Sequence, residues 1–266
     1  RSTVPAGVSG EDPTVLIATP VKDAAAHLPR YVTLLGRLDH DPARLSLAFL
    51  ESDSADRTHA ALQKRLPELA ARYRRVVLHR QDYGLRLEGH RSTPAVQARR
   101  RAVLARSRNE LLRRSLADET WVLWLDVDLL DYPPDLLRRL LAAGRNLVAA
   151  RCVRPDGRPF DLNTFRFDAA RGPAEHPDYL RDGLWQPPPG AGRCYLEDDD
   201  SDGPVPVDAV GGTALLVRAD LHRSGLVFPT ESYRGYIETE GLAMMARDMG
   251  SPAWAIPGLR IVHSWD

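Results

Sequence analysis

Asp126-Val127-Asp128 stands directly behind the apolar run Trp121-Val-Leu-Trp-Leu125. Two carboxylates one residue apart, where a buried strand enters a loop, can both turn toward one cation. Hard oxygen ligands suit Mg²⁺ or Mn²⁺, which keep room for phosphate oxygens. Such an ion neutralises a diphosphate leaving group. The plain alternative is an Asp-x-Asp that only ends its strand. Asp131, two residues before Pro133, reads instead as a helix cap. His263, in Ile261-Val-His-Ser264, is by residue type a structural histidine or a late ligand.

A second acidic strand end is Glu51-Ser52-Asp53-Ser54-Ala55-Asp56. Asp56 caps the helix near Thr58. Asp53 is left to accept hydrogen bonds from a nucleobase or ribose. Thr19-Pro20 ends the first strand and lines the same edge. Downstream, Arg99, Arg106 and Arg113 are spaced by seven and form one helical stripe. Spacing alone favours a solvated arginine face; the other reading puts Arg106 or Arg108, with Asn109, at the nucleotide. The pair Gly211-Gly212 after Asp208 lets backbone approach a ligand, or makes a bulge. Glu238 and Glu240 open a helix and suit its dipole; capping accounts for one of them. The acidic run 197–200 reads as solvated surface.

The elements that position these groups alternate. Apolar runs at 14–19, 45–50, 75–79, 121–125 and 146–151 read as strands. Helical apolar spacing marks 24–38, and helices are read over 58–73 and 93–116. Another runs from the Pro133-Pro134 pair to Gly144. The result is an α/β fold with a mostly parallel sheet built from right-handed crossovers. The pattern breaks over 152–206, rich in Pro, Gly, Asp and Arg. A loop that long in a compact domain is functional or disordered. A Gly-kinked strand over 207–218 follows, then a helix over 239–249 stopped by Gly250. Short strands over 253–256 and 260–263 close the chain. We expect a frayed tail over 1–12, then one domain over 13–266 carrying an irregular insertion at about 165–206.

Composition bounds the function. The 266 residues carry 36 Lys+Arg and 36 Asp+Glu, so the formal net charge is zero. A sequence-blind nucleic-acid coat needs a basic surplus, so no nucleic-acid partner is expected. No apolar run reaches the length of a membrane span. Cys152 and Cys194 cannot make a disulfide framework, and two free thiols are expected. All basic residues but Lys22 and Lys64 are arginine, which looks bacterial. The start at Arg1-Ser2 without Met implies that something upstream was removed.

Together these pieces resemble a GT-A type nucleotide-sugar glycosyltransferase. Ser52-Asp53-Ser54-Ala-Asp56-x-Thr58, Ala105-Arg-Ser-Arg-Asn109 and Leu125-Asp-Val-Asp128 follow one another as in that superfamily. The match tightens to glycosyltransferase family 62, the fungal Golgi mannan-polymerase subunits. Val15-Leu-Ile-Ala-Thr-Pro-Val-Lys-Asp23, Tyr132-Pro-Pro134, Cys152-x-Arg-Pro155 and Phe160-Asp-Leu-Asn163 are similar to it. So are Asp208-x-Val-Gly-Gly-Thr-Ala-Leu-Leu-Val217, Phe228-Pro229 and Ile237-Glu-Thr-Glu-Gly241. The loop between Phe165 and Val207 and the Asp82 to His90 region depart from it.

The resemblance implies a Rossmann-like GT-A domain and a retaining α-mannosyltransferase using GDP-mannose and Mn²⁺ (or Mg²⁺), typically forming α-1,6 links to a glycan or small-molecule acceptor. It implies that Asp126 and Asp128 hold the metal with His263 as third ligand. The nucleotide-sugar candidates are Thr19, Pro20, Asp53, Arg106, Asn109, Asp126, Gly211 and Gly212. Asp208, Glu240 and Glu238 are the catalytic candidates on the sugar and acceptor side. Retention leaves double displacement and a front-face route open. The absence of a Gly-rich phosphate loop after Thr19 argues against a nucleotidyltransferase. The intact acidic and histidine set argues against a non-catalytic scaffold subunit. A bacterial origin implies the cytoplasm; the alternative is the Golgi lumen with a membrane anchor removed.

Overall fold

The computed structural model describes residues 12–84, 94–199 and 201–265. The expected tail up to residue 11, the segment leading to His90, the helix start at Thr93, and Asp200 lie outside the described residues.

The first half follows the apolar runs. β1 (Val15–Val21), α1 (Leu28–Leu35), β2 (Leu45–Glu51), α2 (Thr58–Arg72), β3 (Arg75–Arg80) and α3 (Pro94–Ser115) alternate in chain order. β4 (Trp121–Leu125), β5 (Leu129–Asp131), α4 (Leu136–Ala142) and β6 (Leu147–Val153) follow. Short strands β7 (Phe165–Phe167), β8 (Leu180–Arg181), β9 (Leu184–Trp185), β10 (Arg193–Tyr195) and β11 (Val205–Pro206) fill the unpatterned stretch. β12 (Ala214–Arg218), α5 (Ala219–Arg223), α6 (Glu238–Asp248) and β13 (Trp254–His263) complete the chain.

The main sheet runs β11-β13-β6-β12-β4-β1-β2-β3, with β5 attached to β13. β1 is parallel to β2 and β4, β2 to β3, and β6 to β13, while β12 is antiparallel to both β4 and β6. β4, β1, β2, β3, β6 and β13 therefore share one direction. Their carboxyl ends and the amino end of β12 meet at one edge, where open α/β sheets bind ligands. Pro20 is tolerated in a central strand because the β4 partner of β1 already ends at Trp124 opposite Ala18.

Alternation along the strands builds a core on each face. Ile17, Leu47 and Phe49 pack with Tyr31, Leu28 and Leu137 on one side. Leu16, Ala18 and Trp124 pack with Leu111, Phe228 and Leu242 on the other. Both cysteines are unpaired, Cys152 buried and Cys194 partly so.

Several local expectations change. The strand expected over 207–218 begins only at Ala214, because residues 207–210 turn away to bond Phe165 and Ala253. The two closing strands are one, β13, with a register shift between Ile256 and Arg260 that absorbs Pro257 and Gly258. Asp131 is no helix cap: it lies in β5 and binds Arg37 at 3.1 Å, while Asp135 precedes α4. Asp56 does accept the Thr58 N–H, at 2.8 Å. Within the acidic run, Glu197 and Asp198 are exposed as expected, Asp198 pairs with Arg171, and the less exposed Asp199 pairs with Arg166.

The buried His222 carries one prediction. Trp124 Nε1 donates to its Nε2 at 3.4 Å, and its Nδ1 lies 2.8 Å from the Leu226 carbonyl, so the ring is held neutral. Burial pushes the imidazole down to about 4. The unfolded chain takes up a proton near pH 6.5 that the native chain refuses, so stability is full above that value and falls toward pH 4. From about pH 7 to about pH 4.5 the wild type should lose about 2.5 kcal/mol more than His222→Leu. Urea titrations at the two pH values check this; equal losses would contradict it.

Candidate active site

The shared edge of the sheet opens into a cavity of about 560 Å³. β4 delivers Asp126 and Asp128 to its wall, and the end of β13 delivers His263. One ligand atom from each of these three lies within 4.8 Å of the others. His263 Nε2 is 3.0 Å from Asp128 Oδ1. Its Nδ1 is 3.0 Å from the Ser264 carbonyl, and Phe160 stacks on the ring at 3.7 Å between centroids. The imidazole is thus fixed in tautomer and plane, as a ligating histidine needs.

The electrostatics follow the packing. Desolvation pushes Asp126 up to about 6, Arg108 pulls against it, and the Asp128 charge adds to it. Desolvation would raise Asp128 as well, but the hydrogen bond from His263 outweighs it and holds the carboxyl below its ordinary range. His263 shifts upward because Asp128 outweighs its desolvation. The His263 and Asp128 side chains thus face each other where a cation would sit between them. Two carboxylates and one imidazole fit Mn²⁺ better than Mg²⁺, which prefers oxygen throughout.

Behind the acids, α3 supplies two arginines, one buried and one partly buried. Arg108, 2% exposed, lies 3.6 Å from Asp126 and 3.1 Å from Glu238. Arg101 lies 3.3 Å from Glu240 and 3.9 Å from Glu238. Glu238 adopts φ +56° at the start of α6, strained for a residue with a Cβ, and the arginines hold it there. The glycine pair makes the space. A Cβ on Gly212 would stand 2.4 Å from Arg108 Nη2, and one on Gly211 would overlap the Asp161 carboxylate. Gly212→Ala should cost about 1–3 kcal/mol, since the buried guanidinium has nowhere to retreat. An unchanged urea midpoint would refute that packing.

Of the residues singled out by sequence, Pro20, Arg108, Asp126, Asp128, Gly212, Glu238, Glu240 and His263 line this one cavity, and Gly211 is not among its lining residues. Others do not. Thr19 turns inward, its hydroxyl donating to the Leu125 carbonyl at 2.9 Å. Asp53 spends its carboxylate on the Tyr83 and Gly84 N–H groups, pinning the loop after β3. Asp208 accepts from the Phe167 N–H at 2.7 Å and faces Arg247 at 3.4 Å, away from the cavity. Asn109 clamps the Phe228 backbone from both amide atoms. Arg106, with Arg99 and Arg113, is exposed: the spacing-of-seven stripe is the solvated face. Arg101 and Arg108 repeat the same interval two residues on, facing the cavity. Sequence reasoning also missed Asp161, which lines the cavity while accepting from the Asn163 N–H at 2.8 Å. Lys22, Trp185 and Arg193 are further lining residues that it passed over.

The Anp1 family profile matches residues 3–185. The chain is 32% identical over 270 residues to the mannan polymerase complex subunit mnn9 of Schizosaccharomyces pombe, covering 94% of this chain and 79% of that protein. It is 30% identical to the mannan polymerase complex subunit MNN9 of Candida albicans, covering 94% and 74%. Among solved structures it is similar to the mannosyltransferase PcManGT from Pyrobaculum calidifontis in complex with GDP-Man and Mn²⁺. That likeness has a TM-score of 0.54 at 17% identity, over 96% of this chain and 59% of the other. GalNAc-T7 with UDP, GalNAc and Mn²⁺ gives 0.59 at 12% identity, over 97% and 45%. The chain spans less than two thirds of each solved chain, and at these identities the likeness is one of fold: the GT-A fold.

Proposed function

The chain belongs to the Anp1 family and is a GT-A glycosyltransferase; on that premise we propose that it moves mannose from GDP-mannose to an acceptor hydroxyl, with retention, typically as an α-1,6 link. The observation that carries this reading is the Asp126, Asp128 and His263 triad sharing one cavity with Glu238, Glu240 and Arg101.

Asp126, Asp128 and His263 would hold Mn²⁺, which when bound supplies positive charge to a diphosphate leaving group. Arg108 orients Asp126 from behind and screens it from Glu238. Lys22, tethered to Asp23 at 3.2 Å, lends a further cation to the cavity wall. Glu240 and Glu238 are both ion-paired to arginine, which lowers their nucleophilicity. Asp208 lies outside the cavity. With no free carboxylate among these candidates, the front-face route is the better fit: the departing phosphate takes the acceptor proton. Asp161 keeps lone pairs for a sugar hydroxyl beside its Asn163 and Thr164 contacts.

Thermal shift with a donor panel in Mn²⁺ tests the donor. GDP-mannose at about 100 times its Kd should add about 2.7 kcal/mol to stability. Equal stabilisation by UDP-glucose would sink the donor assignment and leave the fold untouched. The relatives are named as complex subunits, which favours a second reading, a non-catalytic partner chain. GDP release from GDP-mannose by the isolated chain decides between the two.

A further inference from the structure

Arg193 lines the same cavity and is 7% exposed. Its Nε and Nη2 are buried without a hydrogen-bond partner. Among the described residues no carboxylate lies within ion-pair distance of it, whereas Arg101 and Arg108 are each paired to a glutamate. Its guanidinium carbon sits 4.0 Å over the ring of the fully buried Phe165. A cation–π contact recovers only a fraction of what burying an unpaired guanidinium costs. Such a group calls for a partner from outside the chain, and a ligand in the cavity can supply it.

The neighbouring wall is built with equal care. Trp185 N donates to the Gly235 carbonyl at 2.9 Å, and its indole N–H donates to the Arg234 carbonyl at 3.1 Å. Gly235 has φ +84°, and a Cβ there would lie 2.2 Å from the indole. Ser232 Oγ ties the same loop to the Gly183 carbonyl at 2.7 Å. The indole is thereby held rigid as a cavity wall. A rigid aromatic face suits the C–H face of a sugar ring, and a guanidinium fork suits a planar or tetrahedral oxyanion. Both residues come from the stretch between β7 and β12, not from the sheet edge where the metal and diphosphate would sit.

We infer that Arg193 and Trp185 form an acceptor subsite for a sugar carrying an anionic substituent, a phosphate or a carboxylate. This rests on the transferase reading for the word acceptor; the anion site itself does not.

Calorimetry of the wild type and Arg193→Gln, with methyl α-mannoside, mannose 6-phosphate and glucuronic acid, tests it. The wild type should bind at least one anionic sugar about tenfold or more tighter than the neutral one, and Arg193→Gln should erase that preference. The phosphate and carboxylate arms tell the two substituents apart. Arg193→Gln should keep or raise the melting temperature, because it removes an unpaired buried charge, and should leave GDP-mannose binding unchanged. Trp185→Leu should weaken all three sugars together. An equal affinity for anionic and neutral sugars, a preference surviving in Arg193→Gln, or a loss of donor affinity in that variant would each overturn the assignment. A lowered melting temperature in Arg193→Gln with sugar binding intact would return the residue to structure. Failure of the wild type to bind GDP-mannose would instead count against the transferase reading.

Discussion

Asp128→Ala is expected to lower mannosyl transfer by about 10³-fold or more, equivalent to about 4 kcal/mol of transition-state stabilisation. The residue is part-exposed in the cavity, so its removal leaves no buried void. Its ion pair with His263 is partly solvated, and the histidine is content neutral with Ser264 once the carboxylate is gone. Stability should therefore move by about 1 kcal/mol or less. Single-turnover transfer at saturating GDP-mannose and Mn²⁺, with a melting curve beside it, separates the two effects. Turnover near the wild-type value would remove Asp128 from the metal site.

Arg108→Met should have the largest effect on folding. The arginine neutralises Glu238 at 3.1 Å and Asp126 at 3.6 Å, and it packs over Trp124 and Phe228. Methionine restores much of the volume and none of the charge. It leaves Glu238, 4% exposed, with the more distant Arg101 as its one remaining counter-ion among the described residues. Breaking such a pair from one side costs about 3–5 kcal/mol. Glu238→Gln should return a large part of this in the double variant, with a coupling of about 2 kcal/mol or more. Urea unfolding of the four proteins reads the coupling directly. Additive losses would mean that the two groups do not hold each other.

How far the sequence reached can be argued from these same residues. Asp126 and Asp128 were legible because a buried strand running into acids leaves them nowhere to go but the sheet edge. The histidine and the two glutamates needed the family resemblance, since a lone histidine and a pair of helix-start acids each have ordinary structural uses. The arginine stripe shows a limit of periodicity. Residues 99, 106 and 113 and residues 101 and 108 share one interval, and only packing against α6 decides which set faces inward. Asp208 was misplaced for a related reason. Its orientation is set by the Phe167 N–H, a contact made by the insertion, across 41 residues of chain. Trp185 and Arg193 were invisible because they lie in strands of two and three residues, too short to show alternation. The sheet fared better: long apolar runs fixed β1 to β4 nearly to the residue. β12 starts late because residues 207–210 turn away to bond Phe165 and Ala253, while Gly212 and Thr213 line the cavity.

The most direct test of the central claim is the fate of GDP-mannose given to the wild-type chain with Mn²⁺ and again after chelation, followed by proton NMR of the anomeric signal. The account predicts GDP release and an α-configured mannosyl product with an acceptor hydroxyl present, falling to background on chelation and returning with Mn²⁺. A β-configured product, or turnover that chelation leaves unchanged, would contradict it.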